Sequence, residues 1–388
     1  MKWRGSYSVV GNAVPNTLFA RQSLNFSDGS LSTKPPTFDD PKPETTTAFE
    51  TGIDAWLFNN KFNIDVTYYN STLRNQFLYV TAGQESKPVN TGKIRNQGVE
   101  VTMGYRWAIN KDWTWQTNFN FAYNDNKILE TYMQDNGIPY IYETGPKAFH
   151  IKYLEGGKFG DIYVNSFKRD ANGHIVLSGF NPDGSIDYAN AVPQMATGLY
   201  ETYVGNTTSP FTLGWSNTFT WKNFTLYFLI DGRIGGKVMS LTEPDLDRYG
   251  ISVNSGAARL AAENNPDLQA YDANGNMIHL MYLPDGSGRK ISVRKYYETI
   301  GQNPMEEHVY NATNFRMRDI ALSYSLPNLF GMSKGMTAQF SVKNAFFLYK
   351  DSPVDPDISV SAANGYSGID SYALPTLRSY CLTLKFNF

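Results

Sequence analysis

Apolar and polar residues alternate with a period of two through much of this chain. At its end Tyr380, Leu382, Leu384, Phe386 and Phe388 are apolar, and Ser379, Cys381, Thr383, Lys385 and Asn387 fill the places between. Successive side chains of a strand point to opposite faces, so the pattern predicts a strand with one apolar and one wet side. The same alternation runs through Phe62, Ile64, Val66 and Tyr68, and through Val99, Val101, Met103, Tyr105 and Trp107. It returns in Trp113, Trp115, Phe119, Phe121 and Tyr123, with Thr117 among them, then in Phe211, Leu213, Trp215, Phe219 and Trp221. Phe224 to Ile230, Ile320 to Leu326, and Phe340 with Val342 complete the set. Strands are expected near 1–9, 44–57, 61–80, 92–107, 113–127, 211–221, 223–233, 313–326, 336–348 and 377–388. Most reach the roughly 9–11 residues that a membrane-crossing strand needs. The opposite phase carries Asp65, Glu100, Arg106, Asp319, Lys343 and Lys385 amid small polar residues.

Connections between these segments alternate in length. Short ones fall near 58–60, 108–112, 222–223 and 328–335; long ones near 10–43, 81–91, 128–208, 234–312 and 349–376. Outer-membrane barrels have short periplasmic turns and longer extracellular loops. With a periplasmic C-terminus every short link falls on one side, a parity that a β-sandwich has no reason to keep. Loop 234–312 is expected to hold a short helix around Asn254–Glu263, and loop 128–208 an extra strand pair, because long unstructured connections are uncommon.

Composition sharpens this picture. Tyr, Phe and Trp number 26, 24 and 7, or 15% of 388 residues, while mean hydropathy is −0.40. Many rings in a polar background suit a barrel with rings toward lipid and a polar lumen. A soluble β-sandwich or sugar-binding module remains a rival. Charge is balanced, 34 Lys+Arg against 36 Asp+Glu, which argues against a nucleic-acid partner. No apolar run of about 18 residues predicts a membrane helix. Met1–Arg4 has no apolar export signal, so a barrel reading expects the true N-terminus to lie elsewhere.

Chemical motifs are sparse. The single cysteine, Cys381, allows no internal disulfide and shares the phase of Lys385, as a small filler would. His150, His174, His279 and His308 sit on separate loops without metal-ligand spacing. No nucleophile elbow or Walker-type loop occurs, and the acid pairs Glu306–Glu307 and Asp245/Asp247 read as solvated loop residues. No catalytic residue, metal or cofactor is therefore assigned. Tyr132, Tyr140, Tyr142, Phe149, Tyr296 and Tyr297 would make either a stacking platform or ordinary loop packing. Arg316 and Arg318 are candidates for the lumen mouth, Arg318 alternatively pairing with Asp319 of a neighbouring strand or staying solvated. Glu100, Arg106 and Lys343 would contact a plug or pair across the wall.

Ordered motifs then carry a resemblance. They run from Gly5-Ser6-Tyr7 and Val10-Gly11-Asn12 through Phe49-Glu50-Thr51-Gly52-Ile53-Asp54 to Asn96-Gln97-Gly98-Val99-Glu100. Thr117 to Asn124, Tyr203-Val204-Gly205-Asn206 and Asp231 to Gly236 follow, then Phe315-Arg316-Met317-Arg318-Asp319-Ile320, Phe346 to Lys350, Pro353, Asp355-Pro356 and Leu374 to Tyr380. In this order they resemble the C-terminal barrel portion of SusC/RagA-type TonB-dependent outer-membrane transporters of Bacteroidetes.

The resemblance implies an all-β, antiparallel transmembrane barrel, 1–388 forming its last strands, about ten of about 22. The N-terminal plug and earlier strands are not in this sequence. It also implies uptake of glycan or peptide without catalysis, capture under a SusD-like lipoprotein lid, and TonB coupling through the absent N-terminal region. The terminal strand, carried by Tyr380, Leu382, Leu384, Phe386 and Phe388, would be the signal read by the barrel assembly machinery, and outer-membrane lipid would touch the apolar phase. The family's Asp/Asn-rich calcium-type loop is weakly matched by Arg169-Asp170-Ala171-Asn172-Gly173-His174, which has too few oxygen ligands. A self-contained barrel of about ten strands, acting as adhesin, enzyme or channel, is a further alternative.

Overall fold

The computed structural model describes residues 1–13, 21–24, 31–34, 42–82, 85–90, 92–131, 142–144, 149–198, 200–326, 335–357, 359 and 368–386. Ten strands form one antiparallel sheet in which spatial order follows chain order. They are β1 (Lys2–Asn12), β2 (Glu44–Leu57), β3 (Phe62–Arg74), β4 (Lys93–Ala108) and β5 (Trp113–Glu130). Then come β6 (Phe211–Trp221), β7 (Phe224–Ile234), β8 (Asn314–Leu326), β9 (Met336–Lys350) and β10 (Ser379–Phe386). Each expected strand is present. One differs in its bounds by more than three residues: the segment expected over 61–80 leaves the sheet at Arg74, because Asn75 turns left-handed with φ 58°. Residues Phe77–Ala82 then pair with Glu85–Asn90 as a separate hairpin.

Register joins the apolar phases into one face. Val66, Val101, Phe121 and Leu213 are successive partners across β3 to β6, and Phe228 meets Ile320, which meets Val342 and then Tyr380. Near the short turns the rings form a row: Trp113 stacks on Trp221 at 5.5 Å, Trp221 on Phe224 at 6.1 Å, and Phe224 meets Tyr324 at 4.5 Å. Amphipathic rings at this level form the interfacial girdle of a membrane barrel. Cross-strand ring pairs also stabilise the sheet directly.

Polar residues interrupt the apolar face in places, and one neighbouring pair of them is bridged by indoles. Asn217, only 1% exposed, lies opposite Thr117. Trp115 Nε1 donates to Asn217 Oδ1 at 3.0 Å, and Trp215 Nε1 donates to Thr117 Oγ1 at 2.9 Å. An unpaired polar group in hydrocarbon costs several kcal/mol, roughly as in any apolar medium, so each pair removes two such groups at once.

The opposite face is polar and supports closer contacts. Arg4 reaches over Gly52 to Asp65 at 2.5 Å and to Thr67. Gly98 is required by space: a Cβ there would meet Tyr123 O at 2.1 Å and the Tyr69 hydroxyl at 2.5 Å. Tyr69 can thus lie flat across the strand and donate to Asn124 Oδ1 at 2.9 Å. Cys381 sits on this face opposite Ser341, as its phase predicts.

The short links are tight. Phe58, Asn59 and Asn60 are all left-handed (φ 53°, 55°, 64°), and Lys222 (φ 48°) turns β6 into β7. Asn110 Oδ1 accepts the N–H groups of Asp112 and Trp113, closing the link from β4 to β5. The link expected at 328–335 lies, but for Gly335, outside the described residues.

The long links at the other end carry structure of their own. Residues 149–177 of loop 128–208 and parts of 234–312 share cores. The sheet Tyr142–Thr144, Phe149–Tyr153, Asp161–Val164, Thr202–Asn206 exceeds the single strand pair expected in the first of them. In the second, α1 (Glu243–Arg248), α2 (Val253–Glu263) and α3 (Val293–Ile300) form, α2 beginning one residue before the expected helix. Ser252 Oγ accepts the Ser255 N–H and caps α2. Ile128 at the top of β5 joins Phe149, Ile151, Ile162, Val164, Met239 and Ile369 in one core; Phe167, Ile175, Ile291, Tyr296 and Ile300 belong to a second. Among the described residues no helix is long and apolar enough to cross a membrane.

Candidate functional site at the wall mouth and outer loops

Simple alternation from Ile320 would send Arg318 and Arg316 to the apolar face. A β-bulge in β8 prevents it: Leu229 pairs with Asp319, but Ile230 pairs with Met317, leaving Arg318 as the extra residue. Bulges re-aim side chains. Arg316 now lies opposite Asp231 on the polar face, and both guanidinium groups turn inward.

There they meet the loop that precedes the last strand. Arg316 Nη2 donates to Asp355 Oδ1 at 2.5 Å, with Asp357 Oδ2 at 3.4 Å from Nη1. Arg318 donates to Asp231 at 2.5 Å, Asp357 at 2.6 Å and Asn344 Oδ1 at 3.0 Å. Arg318 therefore does not pair with Asp319, the alternative expected from sequence. Phe347 lies under the Arg316 guanidinium, 4.0 Å from its ring centre. Asp355 also accepts from the Thr376 N–H and hydroxyl, so one carboxylate holds both ends of the 355–376 stretch. Burial pushes the Asp355 carboxyl up, but Thr376, the Asp357 N–H and Arg316 outweigh it, and its pKa is lowered. Two motifs recognised separately in sequence, Phe315–Ile320 and Asp355-Pro356, are thus one contact.

The long loops are stapled to each other in the same way. Asp285 accepts the N–H of Ile175 at 2.8 Å and of Ser287 at 2.9 Å, with Arg289 at 3.5 Å. Burial opposes its charge, yet these donors hold the carboxyl down at about 2. A lowered folded pKa means stabilisation present above the ordinary carboxylate range near ~4 and lost as pH falls toward the folded value. Protection of the Ile175 amide, its exchange rate relative to the intrinsic rate at the same pH, should therefore fall between about pH 4 and pH 2 in wild type and be low already at pH 7 in Asp285→Asn; identical protection profiles would refute the staple.

His308 and Asp247 form a buried pair at 2.8 Å beneath α1. Next to them, burial and then Glu306 push the Glu307 carboxyl up. Gly301 closes α3 where space allows no side chain: a Cβ would lie 2.5 Å from Arg248 Cβ and 2.6 Å from Pro244 O. That contact seats α1 on the end of α3. Between the α1–α2 turn, the hairpin Asp272–His279 and α3 a cleft of about 900 Å³ opens.

The other sequence candidates are scattered. His150 stacks on Tyr200 at 3.9 Å, His174 flanks Asp170 at 3.7 Å, and His279 lines the cleft, so the four histidines do not converge. The Asp170 carboxylate is occupied by the Asn172 and His174 N–H groups, closing a hairpin tip. Phe149, Tyr296 and Tyr297 are core rings, the packing alternative. Tyr132 and Tyr140 lie outside the described residues, as does the side chain of Tyr142. Tyr380, Leu382, Leu384 and Phe386 share the apolar face of β10, exposed at 43–70%; Phe388 lies outside the described residues. Sequence reasoning named Asp355 only as part of a motif, without its role, and missed Asp357 and the cleft; the Asp-Pro-Asp spacing at 355–357 was the available signal for the first two.

A single ten-stranded sheet with a ringed apolar face, a polar face and one structured end defines a wall of an outer-membrane β-barrel, and excludes two packed sheets. The chain belongs to the TonB dependent receptor-like β-barrel family, whose profile matches residues 1–345. It is 24% identical to TonB-dependent receptor P3 of Formosa agariphila, over 100% of this chain and 39% of that protein. Similarity to TonB-dependent receptor SusC of Bacteroides thetaiotaomicron is 24% over 94% of this chain and 34% of the relative. The solved RagAB peptide transporter overlays with a TM-score of 0.68 at 19% identity, covering 98% of this chain and 40% of that one. The SusC/RagA-type resemblance therefore holds, and the chain spans well under half the length of these relatives.

Proposed function

We propose that this chain supplies the C-terminal wall and outer loops of a TonB-dependent nutrient importer, with short turns in the periplasm and the structured loops outside. The observation that carries this reading is the bulge-directed Arg316/Arg318 cluster. It fixes a long loop across the polar face at the wall's mouth, where cargo would enter a barrel. Cargo would be an oligosaccharide or peptide, the second being what the RagAB peptide transporter carries. A SusD-like lipoprotein would close over the loops, and exposed Tyr249, Ile251, Val253 and Tyr271 around the cleft offer it an apolar landing. Energy would come through TonB acting on the part of the protein that precedes this wall. The β10 residues Tyr380, Leu382, Leu384 and Phe386, with Phe388, would be read by the assembly machinery. No catalysis is assigned.

In a Cys381→Ser background, a cysteine at Asn274 should react with an impermeant maleimide on intact cells. A cysteine at Asn223 should react only after the outer membrane is opened. The reverse pattern would overturn the orientation, and unchanged uptake of labelled oligosaccharides and peptides after gene deletion would overturn the importer reading.

A further inference from the structure

The 900 Å³ cleft in the outer loops has a charge imbalance that the fold does not use. Its three carboxylates are committed. Glu298 holds Arg294 at 2.7 Å, Asp247 holds His308 at 2.8 Å, and Asp272 accepts the Asn274 and Asn276 N–H groups at 2.9 and 2.8 Å. Three lining cations are left without a carboxylate in salt-bridge reach among the described residues: Arg248, Arg259 and Lys295. Arg259 donates only to the neutral Gly250 carbonyl, at 2.7 Å. Arg248 lies against the Tyr249 ring, 5.9 Å from its centre, and that ring is 70% exposed. His279 adds a buried Nδ1 with no hydrogen-bond partner.

Each free cation comes from a different element: the end of α1, the body of α2 and the first turn of α3. A cavity of this size falls in the range of small-molecule sites, about 300–1,000 Å³. Cations spread around such a space suit several charges along one ligand better than a single point anion. Guanidinium groups favour planar carboxylates, which they bind through paired donors.

We infer that the cleft binds a carboxylate-bearing oligomer, its charges meeting Arg248, Arg259 and Lys295 while Tyr249 covers one residue's apolar face. As cargo recognition this rests on the importer reading; as a binding site it does not.

The test is calorimetry on the intact protein in detergent with three probes: tri-galacturonate, tri-glutamate and neutral maltotriose. One or both anionic probes should bind more tightly than maltotriose, and which one does names the source of the carboxylate. The double variant Arg248→Gln/Lys295→Gln should weaken that binding about tenfold or more and leave any maltotriose binding unchanged. Arg248→Lys should recover part of it. Heat-modifiable migration checks that the variants remain folded. Equal binding of anionic and neutral probes, or an unaffected double variant, overturns the inference. Charge-dependent binding without uptake in cells would instead sink the importer reading and leave the site standing.

Discussion

Replacing Arg316 by alanine should release the loop before β10 and cost about 3–5 kcal/mol, the usual penalty for stranding one partner of a buried pair. Arg316 is 1% exposed and Asp355 7%, so water cannot solvate the carboxylate left behind. The loss should exceed that of Arg4→Ala, because the Arg4–Asp65 pair is more than a third exposed and solvent-screened. Heat-modifiable migration in outer-membrane preparations, with proteolysis within 351–376, would report both. Arg316→Met combined with Asp355→Asn should recover part of the loss, since no bare charge then remains. If Arg316→Ala migrates and resists protease as wild type does, the clamp has no structural role.

The second large effect concerns the apolar face. Phe119 lies between Met103 and Trp215 on it, while Asn120, one residue on, shares the polar face with Thr102 and Gly214. Phe119→Arg should destabilise the wall by about 2–4 kcal/mol if hydrocarbon lies against that face at mid-depth. Asn120→Arg should cost little, because it enters a wet lumen. Folding of both variants into lipid vesicles, followed by Trp fluorescence, separates the cases. Equal effects would mean that the two faces see the same solvent.

A smaller consequence belongs to the same face. The polar pair Thr117–Asn217 would look like a flaw in a lipid-facing strand. Two indole N–H groups bind its oxygens across β5 and β6, while Asn217 Nδ2 stays without a partner. A slip of register by one residue would expose all four polar groups, so the pair also fixes the pairing of these strands.

Much of the architecture was legible in sequence because a half-apolar strand needs only local alternation. Ten such segments, separated by links of alternating length, define an up-and-down sheet before any contact is known. Tight turns at Phe58–Asn60 and Lys222–Asn223 were equally visible, since so few residues leave no other path. Where alternation broke, the reading ran out. The outer loops carry no repeating period, and their cores join Ile128, Met239 and Ile369, residues far apart in the chain.

Sequence by itself therefore determined the strands, their order and which phase is apolar, because those follow from near-neighbour chemistry. Only tertiary structure decided where the charges go. A bulge at Arg318 reverses the phase of Arg316, and a loop 39 residues downstream provides its counter-ion. The cleft, likewise, lies between elements distant in the chain, with Gly301 letting α1 sit on α3. Such features depend on which distant side chain fills a given space, and no local pattern encodes that.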